Sequence, residues 1–396
     1  MQTASTGRLI AAYRRRRGLS QAALAGLVGR SESWLSQVER GLRTVDRLSV
    51  LLELAYVLHV DVEALTGVPG PPALTQPACP EPFGDVRRNM TRYDQILDRA
   101  GPATTKDQFR QALRQAHGDY QSARYTQVMG GLSALLVEAE LRRVHCHDHL
   151  LHASAHVLVA KVATKCGVAD VATLAADRAA NSAALTDSAA AVGLAGYQMA
   201  CALLQTGRHD EVETTAVRMA ELVASRVDNQ DPRSLSVAGE LWLIAAIAAA
   251  RRAERDAAWS HLTQASSLAD RLGEDANHLW TAFGPTNVAL HRVSVAVELG
   301  DAGEAVCLGQ DLDEGCFPGS LLGRRAQVHL DLARAQASRR QDAEATLHLM
   351  EAERVAPQTI RHNAAAREVI REMLARANRT KTRTLSELAK RAAELE

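Results

Sequence analysis

The sequence is poor in aromatic residues, which make up only 4% of its 396 positions. Ala and Leu dominate the apolar residues instead, and this mixture favours helices over β-sandwiches or barrels. A chain of this length forms two or three structural units, or one domain and an array of repeats. The composition therefore predicts an all-α protein with more than one unit.

Cysteine is scarce and unpatterned. The six cysteines include no Cys-x-x-Cys pair, so the sequence offers neither a zinc knuckle nor a disulfide framework. The N-terminus lacks the apolar segment of a signal peptide, and no stretch of about 18 uncharged apolar residues follows it. We therefore expect a cytoplasmic protein with reduced thiols and no membrane segment.

Catalytic and cofactor motifs are missing as well. The sequence has no G-x-S-x-G elbow, no Walker loop and no H-E-x-x-H pair. Its acidic residues are spread over helical segments, where a solvated surface is the ordinary explanation. We therefore expect a protein that is not an enzyme and needs no cofactor.

Lysine is rare, since only five of the 46 basic residues are Lys and 41 are Arg. The formal net charge is zero, but the basic residues are unevenly placed. Residues 1–67 contain nine Arg against six acidic residues, whereas the remainder contains 37 basic and 40 acidic residues. The positive excess lies at the N-terminus, where a small DNA-binding module would need it.

Proline is concentrated in one segment. Residues 67–82 hold six of the eleven prolines, which break helices and stiffen the chain into an extended spacer. The pattern predicts an N-terminal domain at 1–67, a linker at 68–83, a helical repeat domain at 84–378 and a C-terminal helical tail at 379–396.

Apolar residues recur at helical spacing through most of residues 105–355. Four turns share a loose signature, in which a long apolar helix precedes a Gly, Asp or Arg turn and then an acidic or small residue. Aligned on Val212, Ala258, Ala305 and Ala345, these turns are 46, 47 and 40 residues apart, a period typical of solenoids. The pattern resembles tetratricopeptide repeats (TPR) with longer helices, and it predicts a TPR-like α-solenoid.

Two further amphipathic helices are predicted beyond the repeats, at 360–377 and 384–394. A solenoid needs a polar-faced cap at its end, and these helices stand in that position. A dimer contact is the alternative, and the sequence alone does not decide between the two.

The strongest motif is QAALAGLVGRSESWLSQVER, residues 21–40. A helix-turn-helix needs a small residue where its two helices cross and favours Gly at the turn, and Ala25 and Gly29 meet these needs. Apolar residues occupy the positions that must be buried between the helices, and polar side chains remain to face outward. The expected buried residues are Leu24, Val28, Leu35 and Val38.

These residues resemble the Cro/repressor-type, or xenobiotic-response-element, family of helix-turn-helix regulators. The family's Leu-Ser-Gln start, Ala-Gly pair and closing Glu-Arg-Gly are present here as Leu19–Gln21, Ala25 with Gly29, and Glu39–Gly41. The resemblance covers residues 7–67. It implies a five-helix, lambda-repressor-like domain that binds an operator in double-stranded DNA.

The same resemblance makes residues 31–40 the recognition helix, which would lie in the major groove. It implies that Glu32, Ser33 and Gln37 read bases, because Gln can bind adenine through two hydrogen bonds and Glu can accept from cytosine. Trp34 departs from the family's small or polar residue, and we expect it to pack against sugar or a thymine methyl. The other expected DNA contacts are Gln21, Arg30, Ser31, Ser36, Arg40, Arg43 and Arg47. Of these, Gln21 and the arginines would touch phosphates. For each arginine, simple solvation is the alternative.

The resemblance also implies that the basic residues between positions 13 and 17 do not share one role. Arg14 aligns with an internal arginine of the family that pairs with the glutamate at Glu39, which ties helix 1 to the recognition helix. The alternative is a surface pair worth under about 1 kcal/mol.

Histidines are clustered between residues 145 and 156. His145, His149, His152 and His156 would share one stripe of a helix, and His pairs four residues apart can chelate zinc. No Cys or Asp lies at the right offset on that face to complete a metal site. We therefore expect partly buried histidines and no bound metal.

A ligand site is predicted near residues 280–292. Pro285 is well placed to open an inner helix of the solenoid, because an N-terminal proline forfeits no intrahelical bond. Asn287 and His291 would then share one face, where the Asn amide can bond the backbone of an extended peptide. Bracing of neighbouring helices by Asn287, with the nearby aromatics in the core, is the alternative. The other expected ligand contacts are Trp280, Phe283, Tyr197 and Gln198.

The helix-turn-helix, the proline-rich linker and the TPR-like array together resemble the peptide-pheromone receptor regulators of Gram-positive bacteria. This resemblance implies a homodimeric transcriptional regulator whose array senses a peptide or small-molecule effector, or a protein partner, and modulates operator binding. The alternative is a non-sensing adaptor, which docks a partner protein through the array and uses the helix-turn-helix only for localisation.

Overall fold

The computed structural model describes residues 6–16, 19–45, 48–58, 60, 65, 81–92, 101–226, 231–312, 321–376 and 383–393. Within these ranges every regular element is a helix, which confirms the predicted all-α class. The chain divides into two compact units, Met1–Ala78 (unit 1) and Cys79–Glu396 (unit 2). The boundary falls in the proline-rich segment, most of which lies outside the described residues.

Unit 1 is built from four described helices: α1 (Thr6–Arg16), α2 (Gln21–Leu27), α3 (Glu32–Glu39) and α4 (Leu48–Leu58). Their apolar faces pack into one core, in which Leu24, Leu35 and Leu54 are fully buried. Val28 and Val38 are buried too, so the predicted interior of the helix-turn-helix is confirmed. Of the predicted fifth helix only Leu65 is described, and it is fully buried.

The described part of unit 2 continues this numbering. Its helices are α5 (Glu81–Thr91), α6 (Lys106–Gln121), α7 (Tyr125–Cys146), α8 (His149–Lys165), α9 (Ala169–Ala183), α10 (Ala189–Gln205), α11 (His209–Arg226), α12 (Pro232–Arg251), α13 (Arg255–Leu272), α14 (Pro285–Glu298), α15 (Ala302–Gln310), α16 (Leu322–Ser338), α17 (Asp342–Val355), α18 (Pro357–His362), α19 (Ala364–Arg376) and α20 (Arg383–Ala393). A single 3₁₀ turn, His278–Trp280, precedes α14.

Unit 2 has two layers of helices. The even-numbered helices from α6 to α16 form the inner layer, in which each packs against the next even-numbered helix, and the odd-numbered helices pack between them. The inner layer closes on itself, because α16 contacts α6. Gln121 at the end of α6 exchanges two 2.8 Å hydrogen bonds with Asn277, which precedes α14. Successive helices therefore pack as in a solenoid whose inner layer is a ring.

The period seen in the sequence marks a structural position. The fourth residue of every odd-numbered helix from α7 to α17 is buried: Val128, Ala172, Val212, Ala258, Ala305 and Ala345. Short side chains at this position let neighbouring helices approach closely. The turn signature in the sequence identified four of these six positions and missed the two in α7 and α9.

The two C-terminal helices cover the end of the array. Helix α19 packs against α16, and α20 packs against α17, α18 and α19. Leu385 and Leu388 of α20 are buried in a core cluster that also contains residues of α7 and α8. These contacts place both helices against the array, as a cap would require.

Helix α12 has the length and composition of a membrane span. Nevertheless, 89% of its most apolar window is buried inside unit 2. Helix α12 is therefore a core helix of the array in this structure.

Candidate nucleic-acid interface and ligand cavity

Two serine caps start the helices of the helix-turn-helix. The Ser20 hydroxyl accepts from the backbone N–H of Ala23 at 3.0 Å, and the Ser31 hydroxyl accepts from that of Trp34 at 3.2 Å. Between the helices Gly29 has a φ of 62°, a conformation that a side chain would strain. The predicted turn glycine is confirmed, and Ser31 caps α3 rather than lying inside it.

The outward face of α3 carries the predicted base readers. Glu32, Ser33 and Gln37 are exposed, whereas Ser36 and Trp34 are half-buried. The Arg30 guanidinium lies 5.7 Å from the centroid of the Trp34 ring, a cation–π contact. Trp34 therefore supports Arg30 at the edge of the recognition helix.

The candidate phosphate contacts differ in their surroundings. Arg30, Arg40 and Arg43 are exposed, as a phosphate contact requires, while Arg47 lies outside the described residues. Gln21 is half-buried, and its amide donates to Glu39 Oε2 at 2.6 Å. In this structure Gln21 braces α3, so a phosphate contact would have to use its remaining donor.

Arg14 holds the recognition helix against α1. Its guanidinium donates to both carboxylate oxygens of Glu39, at 2.6 and 2.9 Å, and to the Leu19 carbonyl at 2.8 Å. The side chains of Arg14 and Glu39 are only 11% and 6% exposed, so the predicted pair is confirmed and lies inside the domain. Burial alone would raise the pKa of Glu39, but the bonds from Arg14 and Gln21 outweigh it and lower that pKa.

The histidine cluster of unit 2 does not form the predicted stripe. Helix α7 ends at Cys146, and the chain reverses at His147, which has a φ of 55°. His145 therefore lies on a different helix from His149, His152 and His156, and the single stripe is wrong. Neither Gly nor Pro marks this turn in the sequence.

His152 and His156 are buried in a polar cluster. His152 Nε2 lies 2.9 Å from Glu140 Oε2 and 3.2 Å from His156 Nε2, and His152 Nδ1 lies 2.6 Å from Ser182 Oγ. Burial lowers the pKa of both histidines, despite the nearby Glu140 carboxylate. In the described ranges no group of three or more His, Cys, Asp or Glu side chains has the arrangement of a metal site.

We expect no stoichiometric zinc in this cluster. The neutral imidazoles are bonded to each other and to neighbouring side chains, so a metal ion would have to replace these bonds. Elemental analysis of protein purified without an affinity tag measures the metal content. One zinc per chain would contradict the prediction.

A cavity of about 210 Å³ lies inside the ring of unit 2. Its wall is formed by α6, α7, α8, α10 and α16 and by the segment before α14. The lining residues that bear on its chemistry are Tyr120, Lys161, Thr164, Lys165, Tyr197, Gln198, Trp280 and Arg324. Aromatic and cationic side chains from distant parts of the chain therefore meet in one place.

The structure separates the predicted ligand residues into two groups. Trp280, Tyr197 and Gln198 line the cavity. Phe283 does not, because it is fully buried in the core, with its ring against the backbone of Gly239. Asn287 is fully buried as well, and it donates to Glu240 Oε1 at 2.7 Å.

His291 belongs to the same buried layer as Asn287. Its Nδ1 lies 2.8 Å from the Asn287 carbonyl oxygen, and burial lowers its pKa to about 4. Pro285 opens α14 as predicted. The Asn287 side chain therefore braces α12, and a peptide in the cavity would not reach its amide in this conformation.

Three cations of the cavity were missed in the sequence. Lys161 and Lys165 lie one turn apart on α8, and Arg324 lies on α16. The signal available was weak: two of only five lysines stand four residues apart in the Val- and Ala-rich second half of α8. Buried Lys is uncommon, so buried Lys161 with half-buried Lys165 indicates a site more strongly than exposed arginines do.

The segment before α14 has an unusual backbone. Leu279, Trp280 and Ala282 have φ values of 50°, 62° and 60°, each a strain of about 1–3 kcal/mol for a residue other than glycine. The Trp280 ring stacks on His117 with a centroid distance of 5.1 Å, and the Trp280 carbonyl accepts from Lys161 Nζ at 2.8 Å. These contacts hold a strained segment across the cavity.

Comparison with known proteins agrees with the geometry of unit 1. Residues 6–66 match the family model of a helix-turn-helix domain. No curated protein matches the chain. Unit 1 is therefore a helix-turn-helix domain, which supports the interpretation of the chain as a DNA-binding regulator.

Proposed function

We propose that the protein is a cytoplasmic, sequence-specific transcriptional regulator, without enzymatic activity, in which unit 2 senses an effector and modulates operator binding. The observation that carries the proposal is the exposed face of α3. Glu32, Ser33 and Gln37 project from a helix that buried contacts hold rigidly to α1 and α2. A rigid helix with free polar side chains suits base recognition in the major groove.

Gln37 and Arg43 have different roles in this proposal. Gln37→Ala should relax the base preference at one position per half-site, with a loss of about 1–3 kcal/mol for the preferred base. Arg43→Ala should weaken binding to all sequences alike and reduce the slope of the salt dependence by about one. Binding measured over a panel of single-base operator variants at several salt concentrations separates the two effects. Identical behaviour of the two variants would contradict the division into base readers and phosphate contacts.

We propose that the regulator binds as a homodimer to a two-fold symmetric operator. One recognition helix reads too few base pairs for useful specificity, and half-sites about one helical turn apart allow two copies to bind one face of the DNA. Selection from a random duplex library, followed by footprinting, tests this. A protected site with a single asymmetric half would count against it.

The cavity of unit 2 supports the sensing part of the proposal. It lies within the ring of helices and combines aromatic and apolar side chains with a few polar and charged groups, the composition typical of small-molecule sites. The test compares the operator affinity of the full chain with and without culture-extract fractions separated by size. A change caused by a low-molecular-weight fraction supports sensing of a small molecule.

A non-sensing adaptor is the second candidate. Two exposed apolar side chains on α17, Leu347 at 65% and Met350 at 40%, favour a contact with a partner protein. In that case no extract fraction of low molecular weight would alter operator affinity. Leu347→Glu would then remove partner binding and leave operator affinity unchanged.

A further inference from the structure

The wall of the cavity has an excess of positive charge. Lys161, Lys165 and Arg324 line it. Glu240, behind the wall, pairs with Arg324 at 3.2 Å. Among the described residues no carboxylate lies within ion-pair distance of either lysine. Two ammonium groups therefore face the cavity without an anionic partner.

Buried polar atoms of the wall also lack partners. Gln198 is 2% exposed, and its Nε2 has no hydrogen-bond partner among the described residues. The Thr164 hydroxyl, between the two lysines in the sequence of α8, is buried and likewise finds no partner in the described part of the chain. A buried polar group left unsatisfied costs about 1–3 kcal/mol, so such groups usually have a purpose. Gln198, Thr164 and the two lysines line the same cavity.

The remaining wall is largely aromatic and apolar. Tyr120, Tyr197 and Trp280 line the cavity together with Leu194 and Leu321. Burial raises the pKa of both tyrosines, so they stay neutral over the physiological range. The volume of about 210 Å³ suits a small organic molecule better than an extended peptide.

We propose that this cavity binds a small organic anion, whose carboxylate or phosphate is held by Lys161, Lys165 and the Gln198 amide. Its apolar part lies against Trp280. The inference rests on the proposed sensing function and names the class of effector. An anion would supply the charge and the acceptors that the wall lacks.

The pH dependence of binding follows from the lysines. Burial lowers the pKa of Lys161 and of Lys165 to about 8. The charged and titratable groups that face the two lysines are His117, Cys166, Cys201, Glu240, Arg324 and Asp331. Because an ammonium group is charged below its pKa, anion affinity should be highest below pH 8 and fall as the pH rises above it. The bound anion favours the charged lysines, so the complex loses its anion at a higher pH than the free protein loses its charge.

Isothermal titration calorimetry of the full chain tests the ligand class. The probes are benzoate, phenyl phosphate and inorganic phosphate, with benzamide as the neutral counterpart of benzoate. We expect saturable binding of an organic anion and binding of benzamide that is weaker by roughly tenfold or more. Equal affinity for benzoate and benzamide, or no saturable binding of any of the three anions, would overturn the proposal.

Substitutions locate the binding in the cavity. Lys165→Met should weaken anion binding by roughly 10- to 100-fold without lowering the melting temperature, because it removes a half-buried cation that has no ion-pair partner among the described residues. Gln198→Met should weaken binding by roughly tenfold and provides a second variant. Lys390→Met, at an exposed position of α20, is the matched control and should leave binding unchanged. Retained affinity in a folded Lys165→Met protein would overturn the site.

The outcome separates this inference from the proposed function. If anions bind but operator affinity does not respond, the anion site stands and the sensing function fails. If an extract fraction alters operator affinity while no anion binds, the sensing function stands and the ligand class is wrong.

Discussion

Replacing Glu240 by Ala should lower the unfolding free energy of unit 2 by about 3–5 kcal/mol. Glu240 is fully buried on α12, where it accepts from Asn287 and pairs with Arg324. Removal of the carboxylate leaves a guanidinium in a low-dielectric site without its anion and an amide without its acceptor. Asn287 is fully buried and the Arg324 side chain is only 27% exposed, so both groups lose most of their compensation in the variant.

Chemical denaturation of the full chain, followed by far-ultraviolet circular dichroism, measures this loss. Glu221→Ala, at an exposed position of α11, is the matched control and should change stability by no more than about 0.5 kcal/mol. A loss below about 1 kcal/mol for Glu240→Ala would mean that Arg324 finds water or another partner. Asn287→Ala should lower stability in the same direction, because its amide braces α12 against α14.

Replacing Arg14 by Ala should destabilise unit 1 by about 2–4 kcal/mol and weaken operator binding. The Arg14 guanidinium makes three hydrogen bonds, two of them to a carboxylate that is only 6% exposed. Without Arg14, Glu39 keeps only the bond from Gln21, and α3 is held to α1 by apolar packing alone. A pair at the surface would be worth under about 1 kcal/mol, so the measurement decides between the two interpretations.

Hydrogen exchange of α1 and α3 in the full chain reports this change locally. Arg8→Ala, at an exposed position of α1, is the control and should leave exchange unchanged. The folded pKa of Glu39 lies below its ordinary value of 4.5, so its contribution is fully present above that pH and is lost as the pH falls through the folded pKa. The acid sensitivity of unit 1 should therefore be smaller in Arg14→Ala than in the natural chain. Equal exchange in all three proteins would show that the pair does not hold α3.

The sequence predicted the parts of the structure that depend on local patterns. Helical periodicity and Pro285 placed the helices, and the alternation of buried and exposed residues around Ala25 and Gly29 placed the helix-turn-helix. Repeat spacing located equivalent buried positions in four of the six odd-numbered helices from α7 to α17. The first two signals are local, and the repeat spacing compares similar local patterns along the chain.

The cavity depends on contacts between distant segments, which no local pattern reveals. Glu240 and Arg324 are 84 residues apart, and Gln121 and Asn277 are 156 residues apart. In the sequence, Lys161 therefore resembles any lysine of an amphipathic helix. Only the packing of the ring places it next to the other walls of the cavity. The prediction that Asn287 binds a ligand had the same weakness. Its buried partner, Glu240, lies on α12, and the sequence does not show that α12 packs against α14.

The closure of the inner layer has a thermodynamic consequence. In an open solenoid each repeat contacts only its neighbours, so terminal repeats fray and the two ends unfold nearly independently. In unit 2 helix α16 contacts α6, and the apolar cluster of α7 and α8 also contains residues of α16, α17 and α20. Loss of any one inner helix therefore breaks the ring and exposes interfaces on both sides of the gap. Unit 2 should melt in one cooperative transition, and strain imposed on one part of the ring should be transmitted to all of its inner helices.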